Sequence, residues 1–106
     1  MDDELVARSL GALSQVHRLK AFRALVVAGK QGLTPGVHSE QLGISAASMS
    51  FHLKELLFAG LVSQTRDGRN LIYRASFDRT NELLGFLTSN CCERQPCELE
   101  APSCNC

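Results

Sequence analysis

Apolar residues along the first third of the chain recur at helical rather than strand spacing. Leu5, Val6, Leu10 and Leu13, with Ser9 among them, share one face of a helix expected over residues 3–13. A second helix starts at Ser14 or Gln15, with Val16, Leu19, Ala21, Phe22, Leu25 and Val26 as its apolar face, and Gly29 ends it. Lys30–Gly36, containing Gly32 and Pro35, is a connector. A short helix over about 36–42 follows and ends at Gly43, and Ser45 is a natural N-cap for a helix over 46–59 that stops at Gly60. The period then falls to two. Residues 61–65 and 70–74 are strand-like runs around Arg66-Asp67-Gly68-Arg69, and Asp-Gly between such runs signals a hairpin. Residues 78–89 return to helix with Leu83, Leu84, Phe86 and Leu87 as the apolar set. Beyond Asn90 the composition turns to Cys, Pro, Ser and Asn, and Pro96 and Pro102 forbid a continuous helix. The expected organisation is one domain over 1–90 and a Cys-rich tail over 91–106.

This order predicts a mainly α fold with a β-hairpin wing. The short helix, the turn at Gly43 and the capped helix make a helix-turn-helix, and the hairpin after it makes the winged variety. On helix 46–59, Met49, Leu53, Leu56 and Leu57 fall on the core side, whereas Ala47, Ser50, Phe51 and Lys54 fall on the other. A recognition helix reads bases from its N-terminal half, so Ala46, Ala47, Ser48, Ser50, Phe51, His52 and Lys54 are the candidate DNA-reading residues. A small Ala47 permits close approach, the serines suit base edges or phosphates, and Lys54 neutralises phosphate. Two readings stand for Phe51: contact with thymine methyls, or packing against the short helix 36–42. His52 sits at the margin of the core, where a hydrogen-bonded packing role competes with contact. Arg66 and Arg69 at the hairpin tip suit backbone or minor-groove contact, against the plainer reading of a solvated turn.

Charge supports a nucleic-acid partner only once its distribution is considered. The chain is formally neutral, yet Leu5–Thr80 carries ten basic and four acidic side chains, a surplus of six positive charges offset by acidic ends. A chain of 106 residues fits one small domain, and sharing apolar surface in a dimer enlarges its modest core. No run approaches about 18 apolar residues, so no membrane partner is expected. The start, Met1-Asp2-Asp3-Glu4, lacks a basic segment followed by an apolar one, which points to the cytoplasm. There is no Gly-rich phosphate loop and no His-Glu metal motif, so neither an enzyme nor an organic cofactor is expected.

The motifs taken together are more specific than any one of them. His17-Arg18-Leu19, then Ser50-Phe51-His52-Leu53-Lys54-Glu55-Leu56, then Ala59-Gly60-Leu61-Val62, then Arg66-Asp67-Gly68-Arg69 and Tyr73 resemble the ArsR/SmtB family of metal-responsive repressors. The resemblance covers roughly residues 5–89. It implies a homodimer joined through its first and last helices, bound to palindromic double-stranded operator DNA and released by an inducer ion.

All five cysteines, Cys91, Cys92, Cys97, Cys104 and Cys106, lie in the last sixteen residues. An odd count and a cysteine-free body favour thiolate chemistry over disulfides. Thiolates select soft ions: three cap trivalent arsenic, and four make a tetrahedral zinc or cadmium site. Cys91-Cys92-x4-Cys97 resembles the C-terminal arsenic sites of some family members, which implies trivalent arsenic (arsenite, methylarsenite or antimonite) bound by Cys91, Cys92 and Cys97. The chain departs from the family's other sensing patterns. Gly36–Leu42 lacks a Cys-x-Cys pair, and the last helix carries Asp78 and Glu82 but no histidine. Zinc or cadmium sensing, thiol oxidation at the vicinal pair, and a thiol carrier that binds no DNA remain open alternatives.

Overall fold

The computed structural model describes residues 1–89. The tail assigned to 91–106, with all five cysteines, lies outside the described residues. Five helices and one hairpin follow in order: α1 Asp3–Leu13, α2 Val16–Ala28, a 3-10 turn Gly29–Gln31, α3 Pro35–Leu42, α4 Ala46–Phe58, β1 Val62–Asp67, β2 Asn70–Ala75 and α5 Phe77–Thr88. The helix starts are written in the sequence. Asp2, Gln15, Thr34, Ser45 and Ser76 each accept a backbone N–H of the first turn with their side chain, meeting one otherwise orphaned donor per helix. Pro35 opens α3 where its missing N–H costs nothing.

One core holds the helices and the hairpin together. Leu25 of α2, Met49, Leu53 and Leu56 of α4, and Leu61 are fully buried, joined by Ala21, Phe22, Ala59, Val62, Tyr73 and Ala75. Each such Leu contributes about 1.5–3 kcal/mol by leaving water. α2 therefore lies against α4 and the hairpin, and α3 lies against α4. The hairpin pairs Val62 with Ala75 through Asp67 with Asn70, which leaves Gly68 and Arg69 as its two-residue loop. The connector is more structured than expected. Leu33 forms a backbone bridge with Tyr73, with both N–H···O distances at 2.9 Å, so the segment before α3 is pinned to β2 of the wing at one residue pair. Gly32 lies against β2 with φ +67°, and a Cβ there would stand 2.5 Å from the Tyr73 carbonyl oxygen.

The expected apolar faces need correction in three helices. In α1, Leu10 is exposed and Ala12 is buried in its place. In α2, Val16 and Leu19 are exposed: at 100° per residue Val16 stands across the helix from Ala21, Phe22 and Leu25, and Leu19 lies at the edge of that buried set, beside Phe22. In α5 only Leu83 is buried, while Leu84 and Leu87 face outward. α5 is tied to the body at its first turn, where Ser76 N–H donates to the Leu61 carbonyl at 2.8 Å and Arg79 Nη1 to the Ala59 carbonyl at 3.1 Å. No helix among the described residues is long and apolar enough to cross a membrane.

Candidate nucleic-acid interface

The turn between α3 and α4 sets the angle of the reading helix. Gly43 ends α3 in the left-handed region at φ +66°, and its N–H donates to the Ser39 carbonyl. The Ser39 hydroxyl donates to the Ile44 carbonyl, while Ile44 N–H returns to the Ser39 carbonyl at 3.2 Å. Ser45 then caps α4 by accepting the Ser48 N–H at 3.2 Å. From that cap onward α4 separates its faces cleanly. Met49, Leu53 and Leu56 are buried, and Ala46, Ala47, Ser48, Ser50, Phe51 and Lys54 are exposed. The first turn of α4 carries no acidic residue, so that turn leaves the positive end of the helix dipole uncompensated.

Phe51 leaves more than half of its surface to solvent, and both readings of it stand. It is 56% exposed, with its ring edge on His52 at a centroid distance of 5.8 Å. His52 is half-buried between Phe51 and His17, whose ring centroid is 6.0 Å away. Its Nδ1 is buried with no hydrogen-bond partner among the described residues, so the expected hydrogen-bonded packing role is met by packing alone. Burial first, then the Arg18 and His17 charges, push its pKa down, which favours the neutral ring.

Arg66 and Arg69 are exposed, Arg66 in β1 and Arg69 in the loop. The hairpin that carries them is braced from behind by Arg74. Its Nε donates to the Lys30 carbonyl at 2.7 Å and its Nη1 to the Thr65 hydroxyl at 2.6 Å. The structure thus places the candidate residues on two elements, the outer face of α4 and the wing, joined through Ala59–Leu61. Sequence reasoning missed the brace at Arg74 and the support at His38. His38 of α3 is fully buried, and its Nε2–H donates to the Ala21 carbonyl at 2.9 Å, locking α3 to α2. Burial pushes its pKa down against the opposing pull of that hydrogen bond. A histidine in a short helix of mixed composition carries no sequence signal for such burial. No cluster of three or more metal-ligating side chains occurs among the described residues.

A helix-turn-helix domain family matches residues 13–65. The nodulation protein NolR of Rhizobium meliloti is 32% identical over 87 residues, spanning 82% of this chain and 69% of NolR. An ArsR-like transcriptional regulator from Rhodococcus sp. RHA1 is 26% identical with a TM-score of 0.71, covering 79% of this chain and 76% of that one. The chain is a transcriptional regulator of the ArsR/SmtB family. A homodimeric winged helix-turn-helix DNA-binding domain from Mycobacterium bovis, 22% identical, shares the fold with a TM-score of 0.66 over 93% of this chain and 97% of that one. The two exposed sets differ in chemistry. α4 exposes small and hydroxyl side chains, and the wing exposes guanidinium groups.

Proposed function

We propose that this regulator is a homodimeric repressor that grips a palindromic operator with α4 and the wing, and that a trivalent arsenical bound by Cys91, Cys92 and Cys97 releases it. The observation that carries the DNA half is the sharp division of α4, buried at Met49, Leu53 and Leu56 and exposed at Ala46, Ala47, Ser48, Ser50, Phe51 and Lys54, beside exposed Arg66 and Arg69. Dimerisation is supported by α5. Phe77, Leu84 and Leu87, exposed by 44, 39 and 51%, recur at i, i+7 and i+10 and form one outward apolar stripe with Thr80. Leu10 of α1, 41% exposed, is the matching surface at the other end of the chain.

The inducer half rests on chemistry. Three soft thiolates match the three bonds of trivalent arsenic, whose lone pair takes the fourth direction, and the cysteines follow directly on α5. Recognition helices of a dimer meet successive major grooves about 34 Å apart. Tying down the end of a dimer helix changes that spacing, and release follows if the arsenical binds the non-binding form more tightly. The vicinal Cys91-Cys92 pair keeps thiol oxidation as the competing trigger. A gel-shift titration on a duplex selected by the protein itself separates these. Arsenite, antimonite or methylarsenite should release the DNA, whereas zinc, cadmium and peroxide should not. Release by peroxide alone would replace the arsenical with a redox switch, and failure to select any palindrome would remove the repressor.

A further inference from the structure

A cavity of about 360 Å³ opens between α1, α2 and α4, at the C-terminal end of α4, past the DNA-reading candidates Ala46–Lys54. That volume lies within the range of small-molecule sites. Arg8 and Gly11 of α1, Arg18 of α2, and Glu55 and Phe58 of α4 line it. Three features set it apart from ordinary surface. First, Arg18 is under-partnered. Its Nη1 stands 3.6 Å from Glu55 Oε2, longer than a charge-assisted hydrogen bond, and its buried Nε has no hydrogen-bond partner among the described residues. Second, Phe58 is 85% exposed, more than any other large apolar side chain described, and it stands at this cavity rather than on the α5 stripe. Third, Gly11 lies in the last turn of α1, and a Cβ added there would meet nothing within 4 Å. Without a side chain there, the Gly11 backbone faces open space among the described residues. The cavity is also separate from the dimer surface suggested by Leu10, since at 100° per residue Arg8 stands about 160° around α1 from it.

We propose that this cavity binds a small aromatic monocarboxylate of one or two rings, a second effector independent of the tail thiols. Two guanidinium groups and one carboxylate leave the lining one positive charge in excess, which matches a monoanion and disfavours phosphate dianions. The ligand carboxylate takes the donors that Glu55 satisfies poorly, in the forked geometry that arginine supplies. The ring lies on Phe58 and over Gly11. Because the walls belong to α1 and to the reading helix, occupancy changes how α4 is held against α1, and so bears on DNA binding.

The test is an amide chemical-shift titration of the full-length protein with 1-naphthoate, benzoate, 1-naphthylmethanol and inorganic phosphate. Saturable naphthoate binding, one per protomer, is expected, with shifts centred on Gly11, Glu55 and Ala59. The neutral alcohol, lacking the charge-assisted bonds, should bind at least about tenfold more weakly, and phosphate should not saturate. Phe58→Ser and Arg8→Ala alter exposed side chains, so both should keep the parent's circular dichroism and melting curve while weakening naphthoate by about fivefold or more. Absence of saturable shifts, shifts centred on the Leu19–Val27 face of α2, or affinities unchanged in both variants would overturn the site. Because the ligand needs no thiol, serine at all five cysteines should leave naphthoate binding intact, whatever becomes of the arsenical response.

Discussion

At the scale of single residues, the wing arginines and one buried histidine carry the sharpest expectations. Arg66 and Arg69 are exposed and form no ion pair among the described residues, so their charge is available to phosphate. Replacing both by Ala should weaken operator binding and reduce the slope of log affinity against log salt by about one unit per lost phosphate contact. Unchanged affinity and slope in an anisotropy titration would make the tip ordinary surface. His38 acts on stability instead. Its folded-state pKa lies below the ordinary 6.5 because burial disfavours the charged ring. The unfolded chain therefore takes up the proton first as pH falls. The contribution is complete above the unfolded value and is lost as pH drops below it, levelling off once pH passes the folded value. Chemical denaturation from pH 7.5 to 5.0 should show this loss. His38→Gln, whose amide N–H can still reach the Ala21 carbonyl, should flatten the profile. His52, shifted in the same direction, leaves a residual slope.

At the scale of elements, the wing depends on a junction that no single strand contains. Gly32 sits at φ +67° and ψ −171°, a region almost exclusive to glycine, with the Tyr73 carbonyl and the Ile72 and Arg74 side chains around it. Gly32→Ala should cost about 1–3 kcal/mol from the backbone alone, with the clash adding to that, as a lowered midpoint in urea. An unchanged midpoint would mean that the connector adjusts freely. This junction also marks the limit of what sequence can reveal. α4 was legible to within one residue, because Ser45, Met49, Leu53 and Leu56 encode its cap and core face locally, and the hairpin was legible from Asp67-Gly68. The Leu33–Tyr73 bridge was not, because pairing across forty residues leaves no local period. The buried side of α2 was misread for a related reason. Val16 and Val27 form a second apolar face opposite Ala21, Phe22 and Leu25, with Leu19 between the two, and hydrophobicity cannot rank two such faces without knowing what packs on each. Of the candidate interface, the exposed α4 face was legible from its period, whereas the braces at Arg74 and His38 were not.

At the scale of the whole molecule, the separation of functions is the main feature. The core fixes α4 and the wing relative to each other, and α5 turns its apolar stripe away from that core, the face proposed above to meet a second copy. Leu84→Glu with Leu87→Glu removes that stripe at two exposed positions, so helical content should persist while the protein sediments as a monomer where the parent is a dimer. A parent that is itself monomeric at micromolar concentration would undo the dimer and with it the palindrome. The cysteines follow directly on α5, remote in sequence from the reading helix, so repression and induction should be separable by mutation. The direct measurement is an operator-release titration with arsenite on the parent and on Cys91→Ser, Cys92→Ser and Cys97→Ser. Serine keeps the size but supplies a harder, poorly ionised ligand. All four proteins should bind the selected duplex with equal affinity, and only the parent should let it go. A Cys91/Cys92 double serine variant that still releases DNA with arsenite would contradict a tail-thiol inducer site.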